Sequence, residues 1–159
     1  MKLLNATGQN NTAAHPREAE AEQPEFSGNI LVVEDAPTNQ MLIKLLLKQL
    51  GLQVTIAEDG NQALQKVLTQ QFDLIFMDIQ MPHMNGYEAT RAIRKKGITT
   101  PIVALTAYAM KGDDKKCIEA GCDEYLAKPI DRRELLKIIG KYLPSKELAL
   151  IETTDSAKS

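Results

Sequence analysis

Five side chains of this sequence could do chemistry together. A carboxylate pair, Glu34 and Asp35, follows the apolar run NILVV; Asp78 closes LIFMD; Thr106 closes IVALT; Lys128 follows EYLA. Each alone could be a turn or helix-cap residue, since Asp and Thr are favoured there. That explanation fits any single position and fits the set poorly. A cap has no use for Lys128, or for a carboxylate that directly ends an apolar strand. Phosphoryl transfer onto a carboxylate does need such a set. Clustered carboxylates offer hard oxygen ligands to Mg²⁺, which keeps several waters and takes one or two acids plus phosphate oxygens. The metal and an ammonium neutralise the phosphoryl oxygens, and a hydroxyl donates one more hydrogen bond. Asp78 would be the covalent nucleophile, giving an aspartyl-phosphate. Without a metal, three neighbouring acids repel one another and raise each other's pKa.

The elements that must position these residues follow from short apolar runs alternating with helix-period segments. Strands are predicted at 29–33, 54–57, 74–77, 102–105 and 124–127. Strand 2 also ends in acids, Glu58 and Asp59. Pro37 opens a helix whose apolar positions include Leu42, Leu45, Leu46 and Leu50, with Gly51 as its stop. The next helix turns Ala63, Leu64, Val67 and Leu68 inward. Further helices are predicted at 86–95, 111–120 and 131–142. Continuous apolar strands mean both sheet faces are covered, so the sheet is parallel with flanking helices. The expected fold is an α/β doubly wound (βα)5 sandwich, with ligands outside the carboxyl ends of the strands.

Composition bounds the rest. The chain has 159 residues, 43% hydrophobic and 25% charged, with 19 basic and 21 acidic side chains for a net charge of −2. That balance excludes a nucleic-acid binder working by bulk electrostatics. Three Phe, four Tyr and no Trp argue against a base-stacking platform. No apolar run suggests a membrane span, and the start lacks a signal-peptide core. Two cysteines are too few for a disulfide scaffold, so a cytoplasmic location is expected. Residues 1–28, polar and acidic, read as a mobile tail or linker; 29–143 as the folded domain; 144–159 as a C-terminal tail.

The segments NILVVEDAPTNQ, DLIFMDIQMPHMNGYEATRAIR, IVALTA and GCDEYLAKPI resemble the receiver domains of two-component response regulators, across residues 29–143. The stretches GYEATRAIR and EDAPTNQ bring the likeness nearest to receivers attached to hybrid sensor histidine kinases. The resemblance implies a five-stranded parallel sheet in flavodoxin-like order 2-1-3-4-5. It makes Asp78 the phosphoacceptor and Asp35 a Mg²⁺ ligand. Glu34 completes the acidic pocket, touching the metal through water, and the Gln80 carbonyl is the third protein ligand. Thr106 bonds the phosphoryl group, Lys128 pairs with it, and Tyr125 matches the switch aromatic. Lys128–Pro129 matches a bond that is cis in such domains, which aims the lysine inward.

The implied donor is the phosphohistidine of a histidine kinase or histidine phosphotransfer domain, in a phosphorelay with no direct nucleic-acid or membrane contact. Such a domain phosphorylates and dephosphorylates itself rather than turning over a substrate. Phosphorylation would draw in Thr106 and Tyr125 and bias the face made by helix 4, strand 5 and helix 5. Gln80 and Tyr108 would tune water access, with Tyr108 shielding the phosphate.

Other chemistry-bearing residues read as structural. Cys117 and Cys122 form a C-x₄-C without a second pair or nearby His for zinc, and His15 and His83 read as solvated. A flavin module would need a phosphate cradle where this chain has two acids. A haloacid-dehalogenase-type phosphatase would need a second Asp where Gln80 stands. A degenerate receiver used only for binding would not need Asp78, Thr106 and Lys128.

Overall fold

The computed structural model of the chain describes residues 24–107 and 113–145. Five β–α units follow one another: β1 (Asn29–Val33), α1 (Pro37–Gln49), β2 (Gln53–Ala57), α2 (Gly60–Thr69), β3 (Leu74–Asp78), α3 (Gly86–Lys95), β4 (Ile102–Thr106), α4 (Asp113–Ala120), β5 (Glu124–Ala127) and α5 (Arg132–Tyr142). All strands are parallel, in the order β2-β1-β3-β4-β5. The expected α/β sandwich and strand order are both observed.

Local chemistry explains the element ends. Pro37 occupies the first turn of α1, where its missing N–H costs nothing. Asp59, Asn85 and Asp131 cap α2, α3 and α5, accepting from Gln62, Glu88 and Arg133 backbone N–H at 2.8, 2.9 and 2.7 Å. β3 and β4 are buried along their whole length and β1 from Ile30 on, whereas the edge strands β2 and β5 are only partly covered. That is the burial profile of a sheet sandwiched between helices.

The core forms two layers. One joins Ile30, Val32 and Phe76 to Ile43 and Leu47 of α1 and to Leu135 and Ile139 of α5. The other joins Leu31, Ile75 and Met77 to Ala63, Ile93 and Cys117 of α2, α3 and α4.

Three features differ from the sequence expectations. In α1 the buried row is Ile43, Leu47 and the capping Leu50, while Leu42 and Leu45 are more than half exposed. Apolar residues occupy 41–43 and 45–47, so periodicity does not choose a face and sheet contact does. In α2, Leu64 and Val67 pack on the core but Leu68 is exposed. Finally, Phe26, placed by composition in the tail, is buried in the α1/α5 layer. Its N–H donates to the Leu50 carbonyl at 2.7 Å, and it forms an isolated antiparallel bridge with Ser145. The packed body therefore takes in residues on both sides of 29–143.

Phe26→Ala should lower unfolding free energy by about 3 kcal/mol, read by urea denaturation. A loss below about 0.5 kcal/mol, the size of an ordinary surface substitution, would show that the ring contributes nothing to the core.

Candidate functional site at the carboxyl ends of the strands

The strand order reverses between β1 and β3, which open a crevice beyond their carboxyl ends. Glu34 leaves β1 and Asp78 ends β3, and both are almost wholly buried. Asp35, one residue further along, is exposed. One carboxylate oxygen from each of the three lies within 4.8 Å of the others. Lys128, delivered by β5, reaches this cluster across β4. Its Nζ stands 3.0 Å from Asp78 Oδ1 and 3.2 Å from Glu34 Oε1. The Lys128–Pro129 bond is cis.

Backbone ties hold the cluster in place. Glu34 N–H donates to the Ala57 carbonyl, Asp35 N–H to Glu34 Oε2, and Gln80 N–H to Asp78 Oδ1, at 3.0, 3.0 and 3.1 Å. Gln40 of α1 donates its side-chain N–H to the Glu34 carbonyl at 2.6 Å. Sequence reasoning missed Gln40, because a glutamine two turns from an acidic pair carries no signal of its own. Thr106 is buried at the end of β4, and the Lys128 N–H donates to its carbonyl at 2.8 Å. Tyr125, in contrast, points outward and is 43% exposed. Gln80 and His83 are exposed, His83 with a positive φ of 72°. Tyr108 lies outside the described residues, as does His15.

The electrostatics follow from this crowding. Burial pushes the Glu34 carboxyl above its ordinary pKa, and neighbouring Asp78 adds to the rise, while Lys128 opposes it. Burial disfavours the Lys128 ammonium, but Asp78 and then Glu34 outweigh burial and hold its pKa above the ordinary value. With every group ionised, three carboxylates and one ammonium leave two negative charges uncompensated, the charge of one divalent cation. The donors are hard oxygens, and exposed Asp35 leaves room for metal-bound water. The residues therefore fit Mg²⁺.

One further residue builds the site by its lack of a side chain. Gly86, the first residue of α3, packs directly under the end of β3. A Cβ there would collide with the Asp78 carbonyl and come within 2.8 Å of the Ile79 Cα. The loop from Asp78 to α3 is closed by the Gly86 N–H bonding the Ile79 carbonyl at 3.0 Å.

Comparisons with known proteins agree with this geometry. Residues 30–140 match the family described as response regulator receiver domain. The sensor histidine kinase GacS of Pseudomonas protegens is 40% identical over 136 residues, which cover 80% of this chain and 15% of GacS. The chain thus spans a small part of that relative's length. Among solved structures, the receiver domain of sensor histidine kinase PA1611 from Pseudomonas aeruginosa, with magnesium coordinated in its active-site cleft, is 45% identical. Its TM-score is 0.67, covering 73% of this chain and 97% of that one. The receiver domain of Saccharomyces cerevisiae Ssk1, crystallised with the histidine phosphotransfer protein Ypd1, is 33% identical with a TM-score of 0.68, covering 75% and 89%. Among the described residues, no helix is long and apolar enough to cross a membrane.

Two outcomes test this account. Gly86→Ala should destabilise the fold by about 1–3 kcal/mol, because the colliding atoms are backbone and cannot swing aside. An unchanged melting temperature would contradict the close approach. The Glu34 shift has a definite sign. A raised carboxyl pKa favours the protonated form in the fold, so its contribution is full below the ordinary 4.5 and is lost as pH rises through the raised value. Without divalent metal, Glu34→Gln should gain thermal stability relative to wild type as pH climbs from below 4.5 towards neutrality, and Mg²⁺ should narrow the gap. A gap independent of pH would count against charge crowding.

Proposed function

Because the chain belongs to the response regulator receiver domain family of two-component signalling, we propose that it accepts a phosphoryl group from a phosphohistidine onto Asp78. One observation carries the reading: the buried Asp78 carboxylate lies 3.0 Å from a lysine ammonium and within 4.8 Å of two further acids. In the transfer, the N–P bond of the donor breaks as a bond forms between phosphorus and an Asp78 oxygen. The donor histidine leaves as imidazole. No general base is required, since the nucleophile is already an anion. Bound among Glu34, Asp35, Asp78 and the Gln80 carbonyl, Mg²⁺ would supply charge neutralisation on the phosphoryl oxygens.

The chain's own residues do the rest. Lys128, already aimed at Asp78, would exchange its carboxylate partner for a phosphoryl oxygen. Thr106 would donate its hydroxyl to another. Withdrawal of Lys128 and Thr106 towards the phosphate is what would bias Tyr125 and the α4–β5–α5 face, since a switch needs contacts that differ between its two states. The donor would be a histidine kinase or a histidine phosphotransfer domain, consistent with the company kept by the GacS and Ssk1 relatives. The unit would work in the cytoplasm as the receiver of a phosphorelay, and the GacS likeness favours a receiver attached to a sensor kinase.

Intact mass after incubation with acetyl phosphate and Mg²⁺ tests the proposal. Wild type should gain one phosphoryl group in a Mg²⁺-dependent way, and Asp78→Asn none. Lys128→Ala should slow the gain on the order of 10²-fold, the usual effect of removing one preorganised charge stabiliser. An adduct that persists in Asp78→Asn would overturn the assignment of the acceptor.

A further inference from the structure

Among the described residues, α1 carries an apolar face left open to solvent. Met41 is 74% exposed, Leu42 and Leu45 are more than half exposed, and with Lys44 and Lys48 the three line one surface groove. α1 holds those two lysines and no acid. Leu42 also lines a second cavity with Glu34, Lys128 and Ile130, so the apolar face runs up to the mouth of the acidic cluster. Contiguous apolar surface of this kind marks a place where something else packs.

The chain itself brings a matching segment to this place. Pro144 and Ser145 finish beside Phe26: the Ser27 N–H donates to the Pro144 carbonyl at 3.4 Å, and Phe26 bridges Ser145. The Phe26 N–H in turn bonds the Leu50 carbonyl where α1 ends. Ser145 thus stands roughly 10 Å from Leu50, two strand-pair spacings away. Leu45 and Leu42 lie about 8 and 12 Å back along the helix from Leu50. The residues that follow Ser145 are KELALIE, an apolar run at 148–151 bracketed by Glu147 and Glu152. Six residues of extended chain reach up to about 20 Å, enough to bring that run onto Leu45 and Leu42. Its charge suits the site as well. With Lys146 counted, 146–152 is net negative, and α1 is purely basic. Residues 1–23 enter on the same side, but their large apolar side chains, Met1, Leu3 and Leu4, stand at the far end of that stretch.

We propose that residues 146–152 lie back across the exposed face of α1. Leu148, Leu150 and Ile151 cover Met41, Leu42 and Leu45, with Glu147 beside Lys48 and Glu152 beside Lys44. Attachment at Ser145 makes the contact intramolecular, so it forms over an apolar area too small to hold a free peptide. Through Leu42 the docked segment borders the mouth of the acidic cluster.

The test uses the full chain and does not depend on phosphorylation. A carbodiimide joins lysine amines directly to carboxylates, and the Lys141–Glu124 pair at 3.3 Å serves as its internal control. Peptide mapping of cross-linked monomer should find Lys44 or Lys48 joined to Glu147 or Glu152. Leu148→Ser with Leu150→Ser keeps every charge and alters no residue of the described fold. In that variant the yield should fall about fivefold or more, because the apolar contact is gone. Met41 should also be oxidised several-fold faster by hydrogen peroxide in the variant than in wild type. Three results would overturn the proposal. One is a control link without any link from α1 to 147 or 152. Another is a yield and a Met41 rate that the two serines leave unchanged, which would mean a tether that merely passes near the lysines. The third is a link found only between chains, which would give the face to a second copy.

Discussion

The structure turns on a charge imbalance held at one point. Glu34 and Asp78 are nearly sealed from water and Asp35 lies beside them, with a single ammonium among them. Burying carboxylates is costly unless they are paired, and one lysine pairs two of the three at once. Everything else serves to keep that crowd together. β1 and β3 are central and covered on both faces, so their carboxyl ends are rigid. Lys128 comes from an edge strand, and reaches the centre because β4–β5 pairing in register, Thr106 opposite Ala127, sets it one residue beyond the sheet. A site built this way holds an unmet demand for two positive charges, and it stays folded because the demand is local.

The opposite edge of the sheet shows the contrary design. There, Arg94 at the end of α3 donates to the carbonyls of Gly121, Ile98 and Thr100 at 2.9, 2.8 and 2.8 Å, and pairs with Asp123 at 3.0 Å. Asp123 Oδ2 accepts in addition from the Ile102 N–H at the start of β4. One guanidinium thus joins α3, the loop before β4 and the turn before β5, with four of its five N–H donors bonded. The fold places its better-matched polar network at the base and its mismatched one at the mouth. Mismatch at a functional site, compensated elsewhere, is the usual arrangement in natural proteins. α3 links the two ends, starting under Asp78 at Gly86 and finishing at Arg94, and its Tyr87, Thr90 and Arg94 all face the α4–β5 turn.

Much of this was legible in the sequence because it is local. The apolar runs mark all five strands, and Pro37 shows where the first helix begins, since a proline fits the first helical turn at no cost. Asp78, Thr106 and Lys128 stood out because polar residues directly after apolar strands in a parallel sheet must share one edge. What stayed hidden depends on contacts far apart in the chain. Nothing near α1 says whether Leu42 or Ile43 turns inward, because apolar residues fill most of its circumference. Phe26 sits in polar, acidic surroundings, and only the gap left between α1 and α5 gives its ring a place. Gln40 and Gly86 matter through a backbone that approaches them, and local pattern carries no trace of that approach.

By itself, then, the sequence determined the strand and helix order, the edge on which ligands belong, and the residue types gathered there. Tertiary structure alone decided which face of α1 is buried, where the packed body begins, and that Lys128 bridges Glu34 and Asp78 at once. The physical reason is range. Backbone propensity, capping and turn geometry act over a few residues and are written into each segment. Packing and charge pairing act between segments far apart in the chain, 94 residues in the case of Lys128 and Glu34, and exist only after the sheet has brought those segments side by side.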